Sequence, residues 1–171
     1  MRLFFALWPD DAVRLQLAHW SRELRAACGG RPTRKENLHL TLAFLGSVDD
    51  ERVAEVERAA NEVAPRVVSL VLDLAGYWKH NRIAWAGAST VPAGLDAFVA
   101  ELRSALARAH IAFDPKGFVS HVTLLREARE PEAMPALDPI EWQLDGFALV
   151  QSVALPKGSR YEIRKSWKGR A

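Results

Sequence analysis

A six-residue pattern that occurs twice constrains this chain more than any other feature. The first copy is Asn37-Leu38-His39-Leu40-Thr41-Leu42; the second, Val119-Ser120-His121-Val122-Thr123-Leu124, comes close to half a chain length later. Each reads His, apolar, Thr, Leu inside a run with the period of a β-strand. Strand side chains alternate between two faces, so each histidine shares a face with its threonine. By the same alternation Leu38, Leu40, Leu42 and Phe44 face away from His39, as do Val122 and Leu124 from His121. A fold that accommodates both copies has two matching parts, each burying one face of its strand and offering His plus Thr on the other.

The remaining periodicities supply those parts. Residues 2–8 are an apolar run suited to a buried strand, too short and too quickly followed by acids to be a signal peptide. Asp10 and Asp11 cap a helix whose stripe is Val13, Leu17, Trp20, Leu24 and Ala27, stopped by Gly29-Gly30. Asp49-Asp50 start a second helix with Val53, Val56, Ala60 and Val63, ended by Pro65. Val68, Leu70, Leu72 and Leu74 alternate as a strand, and a connection from Gly76 to Asn81 leads to a further strand at residues 83–86. Thr90 and Pro92 open a third helix with Leu95, Phe98, Leu102, Leu106 and Ala109 on its apolar face. A turn at Asp114-Pro115-Lys116-Gly117 precedes the second histidine strand, residues 127–139 read as a surface loop, and two strands follow. These run from Trp142 to Val153, bent at Gly146, and from Tyr161 to Trp167. Strand, helix, histidine strand and helix thus recur in altered form. The expectation is an α+β fold, 1–171 forming a single bilobal domain, with two pseudo-symmetric lobes of antiparallel sheet around a central cleft.

Composition narrows the function classes. An apolar fraction of 49% and a charged fraction of 26% are those of an ordinary soluble protein. No run approaches the roughly 18 apolar residues of a membrane helix. Cys28 is the single cysteine, which excludes an internal disulfide and fits a cytoplasmic location. Net charge is only +2, so the chain as a whole is no general nucleic-acid binder. Basic residues nevertheless cluster at Arg31, Arg34 and Lys35, before the first histidine, and at Lys157, Arg160, Arg164, Lys165, Lys168 and Arg170. Such patches suit an anionic substrate as well as a solvated surface. A monomer is the default expectation.

Two histidines facing one cleft can divide acid and base work, because imidazole titrates near neutral pH. Threonine hydroxyls two residues along can hydrogen-bond phosphoryl oxygens, and an arginine can neutralise their charge. Arg126, five residues after His121, is the nearest arginine. Strict alternation places it on the face opposite His121, so a bulge or the strand's end is needed to turn it into the cleft. A zinc site needs three or four ligands at characteristic spacing, whereas each strand here offers one; no metal is expected. His19 and His110 fall in or at the end of helices, His80 in a turn, and Cys28 lacks a base partner.

These motifs resemble the two-histidine (2H) phosphoesterase superfamily, and within it the LigT-like RNA 2′,3′-cyclic phosphodiesterases, also called 2′-5′ RNA ligases. Residues 37–46, NLHLTLAFLG, carry the resemblance most specifically. Residues 2–7, 82–87, 121–126 and the segment from Ser152 to Tyr161 extend it over nearly the whole chain. The resemblance implies a basic central cleft and opening of an RNA-terminal 2′,3′-cyclic phosphate to a 2′-phosphate, without a metal or organic cofactor. It implies His121 as base toward water and His39 as acid toward the 3′ oxygen, with Thr41, Thr123 and Arg126 holding the phosphate. Partners would be RNA with cyclic phosphate ends or 2′,3′-cyclic nucleotides, and no membrane. The same pair run backwards would join RNA ends through a 2′-5′ bond, and a cleft without turnover would be a binder of RNA ends or nucleotides.

Overall fold

The computed structural model describes residues 1–169; Arg170 of the basic cluster lies outside them. Among those residues the chain forms ten strands and three α-helices. The strands are β1 (Arg2–Leu7), β2 (Arg31–Pro32), β3 (Leu40–Ser47), β4 (Val68–Leu72), β5 (Leu74–Trp78), β6 (Ile83–Gly87), β7 (His121–Arg126), β8 (Ile140–Leu144), β9 (Gly146–Ala154) and β10 (Ser159–Lys168). The helices are α1 (Asp11–Cys28), α2 (Val53–Asn61) and α3 (Ala93–Arg108). The architecture is α+β, and every strand pairing is antiparallel.

Leu3 to Leu7 are all buried, so β1 is apolar on both faces and lies inside a sheet rather than at its edge. The strand order is β10-β9-β1-β3-β7-β6-β5, with β2 alongside β7. Its two halves, β10-β9-β1-β3 and β7-β6-β5, are joined by one residue pair, Leu40 opposite Val122. Both are fully buried. Beyond that pair β3 leaves β7, and β2 occupies the vacated edge with Arg31 opposite Arg126 and Pro32 opposite Leu125. Thr33 continues the patch, its backbone N–H donating to the Leu124 carbonyl and its hydroxyl to the Thr123 carbonyl at 2.9 Å.

The helices form where their stripes and caps predict. Asp10 accepts the Val13 N–H at 2.8 Å as N-cap of α1, and Gly29, at φ 62°, ends it. Helix α2 follows a 3₁₀ turn at Asp50–Arg52 and stops at Asn61, ahead of Pro65. The lobes, however, are not the first and second halves of the chain. Helix α1 backs the half-sheet that carries the second motif: the Trp20 indole donates to the Asp138 carbonyl at 3.0 Å, and Leu17 and Leu24 are fully buried. Helices α2 and α3 pack together, and α3 lies behind the first motif, with Phe98 edge-on to Phe147 at 5.0 Å. Each helix covers the sheet half that its apolar stripe meets, and sequence order does not determine which half that is.

Three local expectations change. Leu74 does not extend the alternation of β4: the chain breaks at Asp73 and passes from the two-stranded sheet β4-β8 to the main sheet, leaving Leu74 43% exposed. The expected connection from Gly76 to Asn81 contains most of a strand, β5, hairpinned to β6. The strand expected from Trp142 to Val153 is two strands, divided at Asp145 between the two sheets. Gly146 begins the second because a Cβ there would lie 2.2 Å from the Trp167 carbonyl oxygen.

Leu40→Ala, at the one junction of the half-sheets, is expected to cost about 2–5 kcal/mol in urea denaturation. Leu15→Ala, at a residue 58% exposed on α1, is expected to stay within about 0.5 kcal/mol.

Candidate active site

On either side of the Leu40–Val122 pair lie His39 and Thr41 on one chain segment, and His121 and Thr123 on the other. All four are half-buried and line a single cleft of about 1130 Å³. The intervening Leu40 and Val122 point into the core, which fixes the neighbouring residues on the opposite, open face. The structure therefore brings together both histidines and both threonines that the sequence singles out.

Arg126 joins them. In the β6–β7 register Trp85 lies opposite Thr123 and Ala84 opposite Leu125, leaving Leu124 without a partner. This bulge lets Leu124 and Leu125 both be buried and turns Arg126 to the histidine face, where it lines the cleft. Strand β3 does the same at the same offset from its histidine. Phe5 lies opposite Ala43 and Ala6 opposite Thr41, so Leu42 is extra; Leu42 and Ala43 are both buried. Phe44 consequently faces the cleft, not the core as strict alternation predicts. The fifth residue after each histidine thus enters the cleft, an arginine on one side and a phenylalanine on the other.

The two imidazoles are held alike at one nitrogen and unlike elsewhere. His39 Nδ1 lies 2.6 Å from the Asn37 carbonyl oxygen, and His121 Nδ1 lies 3.0 Å from that of Val119. A carbonyl only accepts, so each Nδ1 carries the hydrogen and each Nε2 keeps its lone pair. Nε2 of His39 meets the Thr41 hydroxyl at 3.0 Å. Asn37 is itself tied down, its side-chain amide donating to the Ser159 carbonyl at 2.9 Å. Around His39 stand Phe4 at 4.9 Å, Tyr161 edge-on at 5.2 Å and Trp8 stacked at 5.5 Å. His121 has Trp78 edge-on at 4.6 Å.

These surroundings set the proton affinities. Desolvation pushes His39 down to about 4, against the upward pull of the Asn37 carbonyl and with help from the positive charges of His121 and Arg126. His121 is lowered by a smaller amount, again by desolvation first, opposed by the Val119 carbonyl and assisted by Arg126. Desolvation of both rings thus favours their neutral forms at pH 7. A bound phosphate anion raises both, and raises the more buried ring most, because a charge acts most strongly where water is excluded.

The rest of the cleft is basic. Arg2, Arg31, Arg34 and Lys157 line it. Among the described residues Arg31 pairs with Glu127 at 3.7 Å, while Arg2, Arg34, Arg126 and Lys157 meet no carboxylate within 4.0 Å. The charges of Arg31, Arg34 and Lys157 are evident in the sequence but their place in the cleft is not, and nothing in the expectations above marks Arg2, Asn37 or Phe44 as cleft residues. Asn37 had a signal, since it opens the first motif. Among the described residues no three His, Cys, Asp or Glu side chains converge as metal ligands would. Nor does any described helix have the length and apolarity to cross a membrane.

The family model described as LigT like Phosphoesterase matches residues 7–85. The chain is 35% identical to the RNA 2′,3′-cyclic phosphodiesterase of Escherichia coli K12, over 97% of this chain and 95% of that protein. The crystal structure of E. coli LigT in apo form superposes with a TM-score of 0.87 at 34% identity, over 99% of this chain and 98% of that one. A crystal structure of E. coli LigT complexed with 3′-AMP gives a TM-score of 0.86 at 34% identity, with the same shares covered.

In an NMR titration of the imidazole protons, His39 is expected to titrate near 4 and His121 below the ordinary value of 6.5. Saturating inorganic phosphate should move both upward. Two titrations at or above 6.5 without phosphate would contradict the desolvation described above.

Proposed function

The chain belongs to the LigT-like phosphoesterase family, and from that premise we propose that it is an RNA 2′,3′-cyclic phosphodiesterase whose His39 and His121 open the ring by acid–base catalysis. The observation that carries this reading is the pair of lone-pair-bearing Nε2 atoms on one open cleft that Thr41 and Thr123 also line. One imidazole takes a proton from water as the water oxygen forms its bond to phosphorus. The P–O3′ bond breaks, and the other imidazole, protonated, supplies the hydrogen to the departing O3′, leaving a 2′-phosphate. Thr41, Thr123 and Arg126 donate to the non-bridging oxygens, where negative charge gathers in the transition state.

In the roles implied by the resemblance, His121 is the base and His39 the acid. Desolvation holds His39 at about 4, too low for an acid at neutral pH, so those roles need the substrate's charge beside His39. The burial that lowers His39 in the free protein makes it the ring most responsive to that charge. Substrate binding then creates the acid, and the kcat optimum falls at higher pH than the kcat/KM optimum, which reports the free protein.

The cleft also speaks to the substrate. At about 1130 Å³ it exceeds the upper end of ordinary small-ligand pockets, roughly 1,000 Å³. Its unpaired cations suit an RNA strand better than a lone nucleotide. The 3′-AMP complex of the E. coli protein supports a ribose-linked phosphate as ligand. The chain acts as a monomer in this reading, since every named group comes from one copy.

Purified protein in excess EDTA should convert an RNA with a 2′,3′-cyclic phosphate end to the 2′-phosphate, resolved by electrophoresis and phosphatase sensitivity. His39→Ala and His121→Ala should each lower kcat by about 10²–10⁴-fold. Full activity in either variant would overturn the assignment. Arg34→Ala and Lys157→Ala should raise KM for an RNA oligomer with kcat unchanged, each reducing the slope of log binding constant against log salt by roughly 0.7 on single-stranded RNA.

A further inference from the structure

We infer that Trp78 is a positioning residue for His121, held against that imidazole by Trp85 and by two glycines that give Trp85 room to lie flat on the sheet. The inference rests on the phosphodiesterase reading above and concerns a residue that works through the histidine rather than on the phosphate.

Three layers build the arrangement. At the bottom, Gly76 of β5 lies opposite Trp85 of β6, and a Cβ at Gly76 would sit 2.1 Å from the Trp85 ring. Gly87, opposite His121 in the β6–β7 register, has the same property, with its would-be Cβ 2.6 Å from the same ring. Trp85 therefore lies across both glycines on the cleft side, beside Thr123. Its buried indole N–H has no hydrogen-bond partner among the described residues, so the fit of the ring holds it there. Trp78 packs on Trp85 with ring centroids 5.3 Å apart and meets the His121 ring at 4.6 Å and 64°.

Among the described residues His121 has no other such wall. His39 is fixed by Phe4, Trp8 and Tyr161 as well as by its carbonyl and threonine contacts. His121 has one carbonyl bond, to Val119, which is itself 51% exposed, and one aromatic neighbour. The Val119 carbonyl alone leaves the imidazole free to swing about its Nδ1; the Trp78 edge closes that freedom and keeps Nε2 toward the cleft. The same ring excludes water from one side of His121. The other charged or titratable groups facing this histidine are Arg126 on its own strand and His39 on the adjoining segment, with His80 beyond Trp78 in the β5–β6 turn, 6.1 Å from it.

The test compares Trp78→Ala, Trp78→Phe and Gly76→Ala with the parent chain, all confirmed as folded by thermal melting. For Trp78→Ala the expected result is a kcat loss of roughly 10–100-fold with KM within twofold, as misplacement of a catalytic group produces. The alkaline limb of kcat/KM and the His121 imidazole titration should both move to higher pH, because the ring is rehydrated. Trp78→Phe should restore most of kcat and the original pH profile. Gly76→Ala, which displaces Trp85 without touching the cleft, should reproduce the Trp78→Ala signature. A raised KM with unchanged kcat would overturn the inference and make Trp78 a platform for a nucleobase. An unmoved His121 titration in Trp78→Ala would overturn it too. Lack of activity in the parent chain would instead defeat the phosphodiesterase reading, while the NMR titration would still report on Trp78 and His121.

Discussion

One buried contact, Leu40 against Val122, joins the two halves of the main sheet, and the cleft exists because it stands alone. A full ladder between β3 and β7 would make a continuous twisted sheet with its polar face flat to solvent. A single pair lets the halves splay while keeping the residues beside it, His39 with Thr41 and His121 with Thr123, on one open side. The cost of an unfilled edge on β7 is met by residues 31–33, which complete its hydrogen bonds and bring Arg31 and Arg34 to the rim. Geometry and charge at the cleft thus come from the same departure of β3 from β7.

The two bulges act on the same plan. Each shifts the alternation three residues after a histidine, buries an apolar doublet, and turns the fifth residue into the cleft. The site is therefore two-fold in its backbone and unequal in its chemistry. Arg126 opposes Phe44, and the three-ring enclosure of His39 opposes the single wall of His121. Unequal burial makes the two rings respond unequally to a bound anion, the more enclosed His39 most.

Much of this was legible in the chain because it is local. The His-x-Thr faces follow from period two, the helices from their stripes and caps, and the pairing of the motifs from their placement. Three features were not. Strict alternation through Leu42-Ala43 turns Phe44 away from His39, whereas that apolar doublet, like Leu124-Leu125, marks a bulge. In the sequence Gly76 suggests a turn and hides strand β5, whereas its lack of a side chain serves Trp85 on the neighbouring strand. The exchange of helices between lobes depends on which sheet face each stripe meets, a long-range packing outcome that periodicity does not encode. Arg126 shows both sides: its chemistry was evident from the motif, and its direction only from the β6–β7 register.

The most direct measurement of joint action is a double-mutant cycle on kcat/KM for His39→Ala, His121→Ala and the combined variant, with a cyclic-phosphate RNA end as substrate. Groups that serve one transition state as a unit are strongly non-additive. The double variant is accordingly predicted to be about as slow as the slower single variant. Losses that multiply, each histidine contributing its own factor regardless of the other, would contradict a shared acid–base step across the Leu40–Val122 junction.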